Sequence, residues 1–280
     1  MGILTAACFV GKSTLAFQKP DTAPAAKFKQ GVTAGVFDPK MPFEEKCRLA
    51  AELGCKGFDL VQPQDWPTLK KYGLTPSMSA PNSGVTIPDG LNRKENHDRI
   101  EAAMRPTIDQ CAAGGCPNLI TFSGNRRGMA DAEGAENCVA FLNRIKAQAE
   151  DKGVTICMEL LNSKVNHKDY MCDHSRWGLD VVKRVNSPRV KLLFDIYHMQ
   201  IMEGDICRTI RESLPWIAHF HTGGVPGRHE IDGTQELNYA FVAKTLAELG
   251  YEGFVSHEYT PAPGRDAKES LRQAIAIMTI

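Results

Sequence analysis

The sequence lacks an excess of either charge. Its 280 residues carry 33 lysines and arginines against 33 aspartates and glutamates, so no net field draws it to a polyanion, and no basic run sits on a recognisable nucleic-acid motif. Nucleic acid is therefore not an expected partner. It also lacks paired cysteines. Nine of them, an odd number, are scattered along the chain without one CxxC, which suits reduced thiols in a large intracellular protein and not a disulfide framework. No run is fit to cross a membrane: Ile3 to Phe17 is weakly apolar, too short, interrupted by Lys12 and without a basic segment before it. A membrane partner is not expected. The cytoplasm is the expected compartment, with export as the alternative if residues 1 to 30, which include a loose Pro/Ala/Lys stretch from Gln18 to Gln30, are the remnant of a signal segment. Gly11-Lys12-Ser13 matches the end of a phosphate-binding loop, but no strand can precede it, so it reads as a chance match.

What is present is an alternation. From Gly31 onward, short β-branched or apolar runs alternate with longer amphipathic ones, as in βα units that build a parallel sheet. Strands are expected at Val32 to Phe37, Gly57 to Val61, Thr75 to Ala80, Asn118 to Ser123, Val154 to Leu160, Val190 to Ile196, Ile217 to His221 and Gly253 to Tyr259. Helices are expected at Phe43 to Leu53, Arg93 to Ala113, Ala132 to Asp151, Leu179 to Arg184, Asp205 to Ser213 and Leu237 to Leu249, several closed by glycines such as Gly54, Gly114, Gly153 and Gly250. No linker divides the chain, so an N-terminal extension over 1–30 precedes one catalytic domain over 31–280. The fold class is α/β, a (β/α)₈ TIM barrel, with an open doubly wound sheet as competitor. The placement of polar residues favours the barrel, because chemistry falls at the ends of several strands and not in one glycine-rich turn.

Four successive strands end in a carboxylate or imidazole: Glu159, Asp195, His221 and Glu258, at spacings of 36, 26 and 37 residues, each close to one βα repeat. In a barrel these would form a ring at one mouth. Three carboxylates facing each other repel strongly without a cation. The set therefore predicts one divalent metal ion. Its mostly oxygen character suits Mn²⁺ or Mg²⁺ first, with Co²⁺ and Zn²⁺ also compatible. Each residue alone could instead be a cap or an ion-pair partner; four at corresponding places argue for a site. Four protein ligands leave about two octahedral positions for a substrate that chelates through a carbonyl and a neighbouring hydroxyl, so a small carbonyl or sugar substrate is expected. His198 and Arg228 would lie in βα loops at the mouth, where substrate-binding residues belong. Oligomeric state is open, a homo-oligomer included.

Phe194-Asp195-Ile196-Tyr197-His198-Met199-Gln200-Ile201-Met202-Glu203-Gly204-Asp205 and Val225-Pro226-Gly227-Arg228-His229-Glu230 resemble the hydroxypyruvate isomerase family. Met158-Glu159-Leu160-Leu161-Asn162, Gly250-Tyr251-Glu252-Gly253-Phe254 and Glu258-Tyr259 extend the similarity from about Gly31 to the end. The wider group is the xylose isomerase-like barrels, which include ketose 3-epimerases and inosose dehydratases. The resemblance implies a metal-dependent isomerase in which Glu159 and Glu258 bind the ion and act as the acid/base pair through an enediolate. It leaves Asn162 and His167, with His198 and Arg228, as expected substrate-binding residues; His174 is a further candidate from the same loop. One departure stands out. Hydroxypyruvate isomerases usually have glutamine where His221 stands, and sugar 3-epimerases have histidine, so 3-epimerisation or loss of a β-hydroxyl by a lyase stays open. A DNA-repair endonuclease of related fold is disfavoured by the balanced charge, and a non-catalytic sugar-binding barrel is the remaining alternative.

Overall fold

The computed structural model describes residues 1–2, 26–81 and 84–280. The stretches at 3–17 and 11–13 discussed above lie outside the described residues. Eight strands, β1 (Lys29–Thr33), β2 (Gly57–Asp59), β3 (Thr75–Met78), β4 (Asn118–Thr121), β5 (Thr155–Glu159), β6 (Val190–Asp195), β7 (Ile217–Thr222) and β8 (Phe254–His257), form one sheet in the order β3-β2-β1-β8-β7-β6-β5-β4. Every pairing in it is parallel. The seam between β3 and β4 is joined by a parallel bridge at Ser79 and Leu119, where Ser79 N donates to Asn118 O and Ile120 N to Ser79 O, both at 2.9 Å. The sheet thus closes into a TIM barrel.

Strand alternation sorts the side chains into two apolar layers, as it must when both faces of a parallel sheet are covered. On β6, Val190, Leu192 and Phe194 join the large core beneath the helices, whereas Leu193 packs inside the barrel with Met78, Ile120 and Cys157. Two residues further along the same inward rows stand Glu159, after Cys157, and Asp195, after Leu193. The interior therefore turns from apolar to acidic at the C-terminal mouth. Gly31 and Gly57 pair across β1 and β2; a methyl group on either would collide with Ser256 or Ser77 of the adjoining strand, so close packing requires glycine there.

The outer layer comprises α1 (Phe43–Leu53), α2 (Trp66–Lys71), α3 (His97–Gly114), α4 (Asp131–Lys152), α5 (Ser175–Val185), α6 (Ile196–Met202), α7 (Ile206–Ser213), α8 (Tyr239–Glu248) and α9 (Ala267–Met278). Helix α1 starts with Glu44 and Glu45 in its first turn, which favour the positive end of the helix dipole, and ends at Gly54, whose left-handed φ of 105° supplies the usual C-terminal stop. Asn238 and Asp266 cap α8 and α9 by accepting from Phe241 N and Glu269 N.

Three expectations need correction. The first strand runs over Lys29–Thr33, earlier than Val32 to Phe37, because its register is set by pairing with β8, and the chain then makes a 3₁₀ turn at Ala34–Val36 that still buries Val36 and Phe37. β8 stops at His257, so Glu258 is the residue after the strand; its N–H nonetheless donates to Thr222 O at 3.0 Å and continues the ladder. Helices α2, α6 and α9 were not anticipated. In α2 a proline stands in the first turn, where its missing N–H costs nothing.

Candidate metal centre

Glu159 closes β5, Asp195 closes β6, His221 is the penultimate residue of β7 and Glu258 follows β8. The barrel brings all four together: one ligand-type atom from each lies within 4.8 Å of every other. His221 Nδ1 is 2.6 Å from Glu258 Oε2, 3.5 Å from Glu159 Oε1 and 3.9 Å from Asp195 Oδ2. It is buried and has no well-directed hydrogen-bond partner. An orphaned imidazole nitrogen facing three carboxylates is a donor set with one atom in search of a cation, and the residues fit a divalent ion.

Two of the four are held from behind. Asp195 caps α6, its Oδ1 accepting from His198 N at 3.0 Å, which turns Oδ2 to the mouth. His221 Nε2 donates to Asp59 Oδ2 at 3.0 Å. Burial pushes the Glu159 carboxyl up to about 7, helped by the charges of Glu258 and Asp195 against the pull of His221. At Glu258 burial also acts upward, but His221 and Arg228 outweigh it and hold the group below the usual carboxylate range.

Arg228 reaches the same ring. Its Nη2 donates to Asp195 Oδ2 and Glu258 Oε2, both at 2.7 Å, its Nε to Glu258 O at 3.2 Å, and the guanidinium lies 5.3 Å over the Tyr197 ring. Its Nη1 makes no hydrogen bond among the described residues. His198 is fully buried; its Nδ1 accepts from Asn162 N at 3.1 Å and faces Asn162 Nδ2 at 2.7 Å. Its proton therefore sits on Nε2, which has no partner and lies 3.8 Å from Asp195 Oδ2. Burial, with Arg228 nearby, keeps this imidazole neutral. His167 lies beside it, with ring centroids 5.2 Å apart and the planes tilted by 58°.

Asn162 has its polar atoms engaged within the protein: Oδ1 accepts from Val165 N and Asn166 N, and Nδ2 faces Asn166 Oδ1 and His198 Nδ1. The structure places it behind His198 as a support. His174 points elsewhere, pairing with Asp173 at 2.8 Å. Sequence reasoning missed Asp59, although a carboxylate at the end of Gly57-Phe58-Asp59 is the same signal that revealed the other strand ends, and it missed His219, two residues before His221 on the same inward row. A cavity of about 360 Å³ opens beside the ring, lined by Thr33, Asp59, Leu60, Arg228, Glu258 and Tyr259 among others.

The family model described as the xylose isomerase-like TIM barrel matches residues 47–279. The chain belongs to that family. Over 230 residues this family member is 32% identical to the Homo sapiens protein named "Putative hydroxypyruvate isomerase", covering 74% of the chain and 81% of that protein. The 2-oxo-tetronate isomerase of Haemophilus influenzae is 29% identical over 238 residues, 79% of the chain and 89% of that protein. A Danio rerio protein with the same name as the human one is 37% identical over 109 residues, a match that spans 39% of the chain and 40% of that protein. Among solved structures, a Brucella melitensis protein titled AP endonuclease, family 2, superposes with a TM-score of 0.76 at 28% identity, covering 89% of the chain and 98% of that protein. The curated names support an isomerase.

Proposed function

We propose that this protein is a metal-dependent isomerase of hydroxypyruvate or a closely related small hydroxy-carbonyl compound, with Glu159 and Glu258 as its acid/base pair. The observation that carries this reading is the ring of Glu159, Asp195 and Glu258 around the unpartnered Nδ1 of His221. These four residues would hold the ion, whose charge supplies electrostatic stabilisation of a developing oxyanion next to the carbon that loses its proton. Glu159 and Glu258 approach the ring from β5 and β8, so one carboxylate can remove a proton and the other return one. His198 Nε2–H offers a neutral donor to a substrate oxygen, fixed by Asn162 behind it. Arg228 keeps Nη1 for a substrate carboxylate, which suits a keto acid better than a neutral sugar. The cavity is of a size for a small molecule.

A second reading, ketose 3-epimerisation, is favoured by one residue: the histidine at 221. The two differ in where the proton returns. Incubation of Mn²⁺-loaded and metal-free protein in D₂O with hydroxypyruvate, 2-oxo-tetronate and a panel of ketoses, followed by NMR, tests both. Deuterium at the carbon beside the carbonyl of the keto acids, dependent on the ion, is the expected result. Exchange at C3 of ketoses alone would replace the isomerase with an epimerase. Tight Mn²⁺ binding with no exchange anywhere would leave a binding protein, and no Mn²⁺ binding would remove the basis of the proposal. A nucleic-acid substrate is disfavoured by the balanced charge of the chain.

A further inference from the structure

Behind His221, on the side away from the carboxylate ring, lies a second buried cluster. Asp59 Oδ2 accepts from His219 Nε2 at 2.6 Å and from His221 Nε2 at 3.0 Å, and its Oδ1 accepts from Ser77 Oγ. Ser77, His219 and His221 are fully buried and Asp59 is 1% exposed. The contact spans the barrel, since β1 and β8 separate β2 from β7 in the sheet. A carboxylate at such depth is costly without several donors, and three converge on it.

The consequence concerns where a proton sits. A neutral imidazole carries one N–H, and the three carboxylates at Nδ1, the nearest 2.6 Å away, draw that proton towards the ring. A protonated Nδ1 has no lone pair to give an ion. Asp59 supplies the opposing pull: a carboxylate only accepts, so Asp59 favours the proton on Nε2, and unlike the ring carboxylates it faces away from where an ion would satisfy it. We infer that Asp59 is a positioning residue which holds the His221 proton on Nε2 from across the barrel, so that Nδ1 presents its lone pair to the ion. This rests on the metal reading above. His219 and Ser77 complete the donors that aim Asp59.

The test uses the full chain, stripped of metal and titrated with Mn²⁺ followed by electron paramagnetic resonance, and then loaded with diamagnetic Zn²⁺ for ¹⁵N NMR of labelled histidine. Wild type should bind one tight Mn²⁺, lost in His221→Ala. Asp59→Asn, which removes the charge, and Asp59→Ala, which removes the acceptor, should each weaken Mn²⁺ binding about 10- to 100-fold, the usual effect of deleting a partner behind a metal-binding histidine. His219→Gln keeps a donor to Asp59 and should bind within about threefold of wild type. The Zn²⁺-loaded wild type should show the His221 Nε2–H as a downfield proton hydrogen-bonded to a carboxylate, and Asp59→Ala should move that signal upfield. Should the alanine variant not fold, the Mn²⁺ affinity of the asparagine variant still decides. Unchanged affinity in both Asp59 variants, equal weakening by His219→Gln, a wild-type Nδ1–H, or two tight ions of which Asp59→Asn loses one would each overturn the inference. A wild type that binds no ion, or binds it equally well in His221→Ala, would overturn the metal reading instead.

Discussion

At the scale of single residues, the mouth of the barrel holds more negative charge than it can neutralise by itself. Arg228 and His221 face Glu159, Asp195 and Glu258, and Arg228 spans two of the three. Replacing Glu159 or Glu258 by glutamine keeps size and an oxygen but ends proton transfer, so exchange in D₂O should fall by about 10²- to 10⁴-fold. Arg228→Lys retains charge but loses the planar fork. KM for a keto-acid substrate should rise about 10- to 100-fold with a smaller change in kcat, the scale of a charge-assisted hydrogen bond; an equal loss in kcat and unchanged KM would place Arg228 in the chemistry and not in binding. The four candidate ligands were legible because each stands at the C-terminal end of an expected strand, about one βα repeat from the next. Asp59 was not, since the expected strand ran on to Val61 and put Asp59 in its middle, whereas β2 ends at Asp59, and its partners are 160 and 162 residues away.

At the scale of elements, the loop between β5 and α5 carries Asn162 and His167 and is tied to the preceding βα loop by backbone bonds, Arg126 N to Asp169 O at 2.8 Å and Met171 N to Gly124 O at 2.9 Å, and by one arginine side chain. Arg126 donates to Asp173 through Nη1 at 3.1 Å and Nη2 at 3.0 Å, to Asp131 through Nε at 2.7 Å, and to the carbonyls of Tyr170 and Met171. Burial acts upward on the Asp173 carboxyl, but Arg126, Ser163 and His174 outweigh it and keep it below the usual range. Arg126→Ala should cost about 2 kcal/mol, below the full loss for breaking a buried pair because the arginine is one-quarter exposed. Backbone amides of 162–172 should exchange faster than in wild type, with the rest of the barrel unchanged; uniform exchange throughout would show that the loop is held by other contacts. Nothing local in the sequence announces this tie. Amphipathic helices such as α1 were legible to the residue because period and glycine stop coincide. α6 was hidden because its residues, Ile196 to Met202, continue the apolar run of β6, and only the Asp195 cap marks the change.

At the scale of the whole molecule, binding at the ring and burial of imidazoles both set stability. Mn²⁺ at 100 times its dissociation constant should add about 2.7 kcal/mol, and His221→Ala should abolish that gain in a chemical-denaturation titration with and without chelator. The second effect is one of pH. His97 is 1% exposed, its Nε2 donating to Leu91 O at 2.8 Å, its ring edge-on to Phe141. Burial, reinforced by Arg144, holds its pKa below the ordinary imidazole value; burial does the same to His257, at about 4, and to His198. A folded pKa below the unfolded one means that the unfolded chain takes the proton first. Stability from these groups is therefore complete above about pH 7 and is lost as pH falls through the unfolded value near 6.5, until the folded imidazoles also titrate. His97→Gln keeps a donor to Leu91 O but cannot titrate. Its unfolding free energy, measured in urea at pH 8, 6 and 5, should fall less steeply than that of wild type between pH 6 and 5, by up to about 1.4 kcal/mol per pH unit. Parallel curves would mean that His97 takes up its proton without unfolding, and would assign the acid sensitivity to the other buried histidines.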